Sequence, residues 1–392
     1  MSMRVAMINL TGGGMSGGYQ AYLHNILPRL AVNPEVEEIL CIVPFGLELK
    51  NWFPQYPELI FKYCKPFHFM RHNPDKFLKQ TVQKFVPDVI FIPVERYCNF
   101  GKLPLITMVQ NMGPIISVSG NPISERLRYI AQRYEAKIAT RLATRVIVPT
   151  EFVRDFLIQQ WNLPKERMSV IHYGAHPPRK EGTFQKPGII PEQWAGRFIF
   201  TAGSIEPYRG LEDLLAAFNM IKNHNIAGVV IAGEARKNML PYYHHLKNLV
   251  VRHKLEERIL WVGHLEEPEM SWCYRNSRVF AMTSRVESMS LIGLEALAHG
   301  CLCVVADNPP LPEIFGKAAL YYAPRSVSQL AKIIENVLGW DQKKIEQISM
   351  VTRDRASTFS WDANVKQLVH EFLVVINEKK DVPEGTPTIS NG

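Results

Sequence analysis

The stretch RVESMSLIGLEALAHG, Arg285 to Gly300, holds two carboxylates, Glu287 and Glu295, with seven residues between them. Leu291, Leu294 and Ala298 recur at helical spacing, which predicts a helix over Ser290 to His299. Glu295 then sits more than one turn inside that helix, and Glu287 in the loop before its N-terminus. One acid faces the mouth of the helix and the other its flank. A helix mouth attracts anions, so an acid there could be an ordinary dipole complement, and Ser288 or Ser290 an ordinary N-cap.

A cation stands at a comparable place. In GSIEPYRGLEDLL, Arg209 follows the apolar strand FIFTAG and immediately precedes a helix. Alone it reads as a solvated arginine. With the backbone amides at Ser288 to Leu291 it makes a site for a diphosphate, combining a guanidinium with helix N-terminal donors. A third feature is TGGGMSGG after the first strand, where Gly12, Gly14 and Gly17 spell GxGxxG and open a helix. The dinucleotide fingerprint also needs an acid at the end of the second strand, and there the chain has Val43, Pro44 and Phe45. A nicotinamide dehydrogenase is therefore disfavoured. What remains is a glycine-rich loop, through Gly14, Gly17 and Gly18, whose backbone can approach a ligand closely.

These residues need elements to hold them. The chain of 392 residues, 46% hydrophobic and 21% charged, is long enough for two domains with buried cores and is not a disordered chain. No apolar run approaches the roughly 18 residues of a membrane span, and MSMRVAMINL lacks a signal peptide's apolar core and cleavage site. The expectation is a cytosolic protein. The six cysteines have no CxxC spacing, so free thiols and no zinc are expected. Strands and helices alternate twice. RVAMINL, EILCIVP, DVIFIPV, PLITMV and RVIVPT form one set; FIFTAGS, AGVVIAG, RILWVGH, RVFAMTS and CLCVVAD form the other, the signature of two parallel sheets. The expected division is a domain over 1–176, a linker over 177–195, a second domain over 196–358, a long helix over 359–379 and a disordered tail over 380–392. Ligands of such sheets bind beyond the carboxyl ends of the strands, in a cleft between the domains.

In this setting the chain resembles the retaining glycosyltransferases of family 4. The resemblance runs through the Gly17-Gly18 loop, VIVPTEFVRDFL, HYG ending at Gly174, GSIEPYRGLEDLL, VVIAGE, WVGHL and TSRVESMSLIGLEALAHGCLCVVAD. It implies the GT-B fold, an α/β architecture of two Rossmann-like domains facing a cleft, with the C-terminal helix returning to the first domain. By motif position it implies Glu287 beside the donor sugar, Glu295 on the nucleotide ribose, and the Ser288, Met289, Ser290 and Leu291 backbone on the diphosphate. Gly203, Ser204, Arg209, Gly233, Glu234, Gly263, His264 and Leu265 complete the implied donor site, and Gly14, Gly17 and Gly18 the acceptor loop. Carboxylates suit both roles, as acceptors for hydroxyls and as stabilisers of oxocarbenium-like charge.

The departures are specific. Many relatives carry an Arg and a Lys flanking the first helix of the second domain; this chain has Ser204 and Arg209, so one cation is missing. After PLITMV the family often shows His-Asp, and here Gln110 and Asn111 stand instead, open to a hydrogen-bonding role in catalysis or to backbone placement alone. ESMS replaces the common EGFG. No Asp-x-Asp occurs, which together with the fold predicts no metal and no cofactor beyond the nucleotide-sugar substrate. A sugar-nucleotide-binding pseudoenzyme and a GT-B epimerase are the alternatives to a hexosyltransferase. The net charge of +8 favours an acidic partner and points to no nucleic-acid motif. Arg126, Arg133, Lys137 and Arg141 fall on one helical stripe, and KPFHFMRHNPDKFLKQTVQKF mixes cations with Phe67, Phe69, Phe77 and Phe85. Both suit peripheral contact with an anionic membrane, or a solvated face.

Overall fold

Apolar runs buried on both faces become parallel strands, and that is how each sheet is built. The computed structural model describes residues 2–380 apart from 13, 48, 69–70, 117–119, 177–183 and 223–224. Phe69, the first part of the expected linker and the tail over 381–392 therefore lie outside the described residues. The chain divides into two compact units. One comprises Met1–Asn111, Ala131–Tyr173 and the chain from Trp361 onward; the other comprises Met112–Ile130 and Gly174–Ser360.

The first unit holds seven parallel strands: β1 (Met3–Ile8), β2 (Val36–Pro44), β3 (Leu59–Cys64), β4 (Val89–Ile92), β5 (Leu105–Met108), β6 (Arg145–Val148) and β7 (Met168–Val170). Their order is β3-β2-β1-β4-β5-β6-β7. The second unit holds β8 (Phe198–Ala202), β9 (Gly228–Ala232), β10 (Ile259–Gly263), β11 (Val279–Met282), β12 (Cys303–Ala306) and β13 (Ala319–Tyr322), in the order β10-β9-β8-β11-β12-β13. Chain order reverses between β1 and β4 in one sheet and between β8 and β11 in the other. At such a reversal the loops leaving neighbouring strands part in opposite directions and open a crevice at the carboxyl ends.

Strands β3, β7 and β13 add to the expected set, and each lies at a sheet edge. In β3 Lys62 is exposed within LIFKYC, and β7 is only three residues long. Neither presents the continuous apolar run that marks a central strand.

The C-terminal helix Trp361–Lys380 belongs to the first unit, as the resemblance implied. Trp361 stacks on Tyr173 with centroids 5.8 Å apart and tilts against Tyr22 of the helix Gly17–Ala31 at 6.0 Å. Phe372 meets Phe91 of β4 at 5.5 Å. Burying such rings is worth about 2 to 3 kcal/mol each, so the helix is fastened by packing. Arg29 to Asp362 and Arg145 to Glu378, each at 2.7 Å, add ion pairs along its edge. All six cysteines are buried and free, matching the reading of scattered thiols. Among the described residues no helix is long and apolar enough to cross a membrane.

Candidate active site

The reversal between β8 and β11 brings two of the three sequence features together. Arg209 ends a short 3-10 turn, Pro207–Arg209, after β8, and Gly210 in the left-handed region separates it from the helix Leu211–Met220. A Cβ at Gly210 would stand 2.6 Å from the Thr283 carbonyl oxygen at the end of β11, so the loop passes too closely for any side chain. Thr283 Oγ1 donates to the Arg209 carbonyl at 2.7 Å, and the Arg285 amide donates to the Tyr208 carbonyl at 2.7 Å. Strapped in this way, the Arg209 guanidinium reaches Glu287: Nη1 donates to Oε1, and to Ser284 Oγ at 3.3 Å. Burial is the largest single influence and works against its charge, but Glu287, Tyr208 and Glu206 together outweigh that penalty and raise its pKa. Its Nε is buried with no hydrogen-bond partner, an orphan donor inside the site.

The helix opens one residue later than expected, at Leu291, and runs to Ala298. Ser290 is the N-cap and accepts from the Gly293 amide at 3.2 Å. Ser288, Met289 and Ser290 are buried. Glu295 accepts from the Tyr274 hydroxyl at 2.9 Å. Burial pushes its carboxyl up to about 7; the Tyr274 hydrogen bond opposes this and nearby Glu267 adds to it. His299 stacks on Tyr274 at 5.0 Å, and burial lowers its pKa.

Three of the glycines read from the motifs share one feature, a positive φ that side chains rarely adopt. Gly203, Gly233 and Gly263, at the carboxyl ends of β8, β9 and β10, all have positive φ. A Cβ at Gly203 would lie 2.9 Å from Arg209 Cζ, and one at Gly233 would overlap the Gly203 carbonyl. Bare backbone at Gly203 leaves room for the Arg209 guanidinium, and at Gly233 for the Gly203 carbonyl. Glu234 is exposed and its carbonyl accepts from the Ile205 amide at 3.0 Å; His264 is exposed and Leu265 buried.

Three acids and two further arginines were not read from sequence. Arg285 is held by Glu212 at 2.9 Å and Asp213 at 3.2 Å, and Arg236 by Glu206 at 2.7 Å. The only signal was proximity in sequence to VESMS, GLED and VVIAGE.

The remaining predicted residues belong to the first unit, at its own reversal. Ser16 caps the helix Gly17–Ala31, accepting from the Tyr19 amide at 3.2 Å. Gly14, Gly17 and Gly18 are exposed, and a Cβ at Gly14 or Gly17 would meet nothing within 4 Å. Gln110 and Asn111 follow β5, and both of their amides donate to Glu95 Oε1. Glu95, after β4, is therefore the residue that shapes this turn, and its pKa is raised by burial despite those amides. Its signal was an acid directly after the apolar run DVIFIPV. Among the described residues no three His, Cys, Asp or Glu side chains stand together as a metal site.

Two family models match this architecture half by half. The model for glycosyltransferase family 4 covers residues 17–179, and that for glycosyl transferases group 1 covers 187–351. The chain belongs to glycosyltransferase family 4. An uncharacterized glycosyltransferase of Methanocaldococcus jannaschii is 23% identical over 61% of this chain and 62% of its own length. O-antigen chain mannosyltransferase B of Escherichia coli is 22% identical over 64% of this chain and 65% of its own. The chain thus spans somewhat under two thirds of the length of either relative. In fold it is similar to Anabaena HepE in complex with UDP, with a TM-score of 0.72 and 18% identity over 95% of this chain and 100% of that one. HepE has also been solved with UDP-glucose.

Within family 4 this chain's departure at Ser204 has a local consequence. The hydroxyl lies 3.0 Å from the Tyr208 hydroxyl, where it brings no charge. Two other arginines of this unit, Arg285 and Arg236, are paired with carboxylates, as Arg209 is.

Proposed function

We propose that the chain is a retaining hexosyltransferase that moves a hexose or deoxyhexose from a nucleotide sugar to a saccharide acceptor. It serves cell-surface polysaccharide or lipid-linked glycan assembly, in the cytoplasm at the inner face of the membrane. One observation supports the reading: after β8 and β11 a buried arginine with an orphan Nε pairs with Glu287, which lies just ahead of the helix capped by Ser290, and that helix also carries Glu295. A nucleotide sugar needs that set. Arg209 and the helix mouth at Ser288 to Leu291 counter the diphosphate. Glu295 accepts from the ribose hydroxyls, and Glu287, released from Arg209, accepts from the sugar and faces the positive charge developing at the anomeric carbon. Gly203, Gly233 and Gly263 keep the floor clear. Gly14, Gly17 and Gly18 admit the acceptor, and Gln110 or Asn111 hydrogen-bonds it. Arginine and helix dipole take the place of a metal ion, and no cofactor is needed. The mannosyltransferase relative supports the sugar class and the polysaccharide role; the UDP and UDP-glucose complexes of the HepE neighbour support a nucleoside diphosphate.

The test is a thermal-shift panel of UDP, GDP, dTDP and ADP, followed by transfer assays with the matching sugar nucleotides. One nucleotide should stabilise the protein. Glu295→Ala should weaken that nucleotide by about 1 to 3 kcal/mol, whereas Glu287→Ala should spare it and remove transfer. Binding without release of the diphosphate would make the chain a binding protein, and return of an altered sugar nucleotide would make it an epimerase.

A further inference from the structure

The helix Ile123–Leu142 exposes what a soluble helix normally hides. Ile123 is 76% exposed, Leu127 63%, Ile130 66% and Tyr134 54%. At about 100° per residue these four fall within roughly 60° of one another, a straight apolar row about 16 Å long. Single exposed aliphatics are ordinary; a row at the helical period is not. The strip beside it is basic. Arg126, Arg133 and Lys137 line one edge, and Arg141 extends the row by two turns. Arg133, Lys137 and Arg141 have no acidic partner among the described residues. The helix has two acids, and both turn inward: Glu125 pairs with Arg128 at 3.0 Å and accepts from Asn238, and buried Glu135 lies 3.4 Å from His72. The outward face therefore combines aliphatic side chains with uncompensated positive charge.

We infer that this helix lies flat on an anionic bilayer, its Ile-Leu-Ile-Tyr row in the acyl boundary and its cations among the lipid phosphates. A second copy of the chain is the competing occupant, and charge argues against it: the same face offers no carboxylate to meet the strip. A lipid surface supplies both chemistries at once. This docking extends the proposed transfer by fixing where a lipid-linked acceptor is met, and it can fail without it.

The experiment is co-sedimentation of the full chain with vesicles of phosphatidylcholine alone or mixed with phosphatidylglycerol. The wild type should bind the mixed vesicles and not the neutral ones. Leu127→Glu with Ile130→Glu should lower the partition coefficient on the order of a hundredfold, through lost apolar burial and added repulsion. Arg133→Gln with Lys137→Gln should lower it roughly thirtyfold at low salt, with the deficit shrinking as salt rises. Leu127→Ser with Ile130→Ser provides a milder variant should the acidic one fold poorly. All should keep the wild-type thermal shift with the nucleoside diphosphate, which separates lost docking from a lost donor site. Unchanged vesicle binding in these variants, or no binding by the wild type, overturns the inference. So does a wild-type dimer that Leu127→Glu with Ile130→Glu converts to monomer, since the face would then belong to a second copy.

Discussion

The two sheets reverse at equivalent places and furnish those places differently. Around β8 and β11 the candidate side chains are already engaged: Arg209 with Glu287, Arg285 with Glu212 and Asp213, Glu295 with Tyr274, while Gly203, Gly210 and Gly233, at positive φ, lie under close neighbours. After β1 the glycines Gly14 and Gly17 have space around them, and after β4 the half-buried Glu95 accepts from two backbone amides. A crowded, prepaired crevice suits a ligand whose phosphates and ribose never change. An open one suits a ligand that differs from one enzyme to the next. Preorganisation costs folding energy, so it is placed where it can be reused.

The contrast is most exposed at Arg209. If it is the main side-chain cation on the diphosphate, Arg209→Ala should lower turnover about a thousandfold, Arg209→Lys should recover part of it, and Ser204→Arg should tighten nucleotide binding and partly rescue the alanine variant. Transfer at the wild-type rate in Arg209→Ala would remove the diphosphate site from this crevice. Next comes stability. Gly233→Ala, at positive φ and against the Gly203 carbonyl, should cost about 3 kcal/mol or more by denaturant unfolding, while Gly14→Ala should stay within about 0.5 kcal/mol and change acceptor KM. Similar costs at both positions would erase the distinction between the two loops.

A smaller effect tests the first unit alone. Glu95→Ala leaves two amides without their acceptor and should cost about 2 kcal/mol, with Glu95→Gln milder and the nucleotide thermal shift unchanged in both. A lost nucleotide shift would mean that the two loops are not independent. The smallest effect is a pH dependence of the second. The Glu295 carboxyl, raised from 4.5 to about 7 in the folded protein, contributes stability that is fully present below about 4.5 and lost as pH rises through about 7. A ribose donating to the carboxylate favours its ionised form, so nucleotide affinity should rise several-fold between pH 6 and pH 8, and Glu295→Gln should flatten that rise. Calorimetric titration across that range would show it; a flat wild-type profile would take the ribose away from Glu295.

Sequence revealed the parts of this molecule that depend on burial and spacing. Central strands such as RVAMINL and FIFTAGS are apolar on both faces, and the helix after Ser290 keeps its period. The edge strands were hidden because half-exposed backbone tolerates Lys62 and needs only three residues, as in β7. Within the site, Glu287, Glu295 and Arg209 were visible as types at suggestive positions. The Arg209–Glu287 pair was not, since 78 residues separate them and only the β8–β11 adjacency closes that distance. Glu95 escaped for the same reason: its partners come from the next strand over. The basic stripe of the helix Ile123–Leu142 was legible, whereas the inward turn of Glu125 and Glu135 depended on tertiary neighbours.

If the nucleotide sugar binds as proposed, the Arg209–Glu287 pair also sets a threshold for entry. An unoccupied crevice lined by a bare guanidinium would trap any small anion in the cell, inorganic phosphate included. With the carboxylate already in place, an incoming anion has to outbid it. A lone phosphate offers little more than Glu287 does, while a diphosphate that brings a second group to the helix mouth and a ribose to Glu295 gains on three fronts as it displaces one. On the proposed function, the resting ion pair would thereby work as a rejection device, and the carboxylate it sets free would emerge at the moment a sugar is there to receive it.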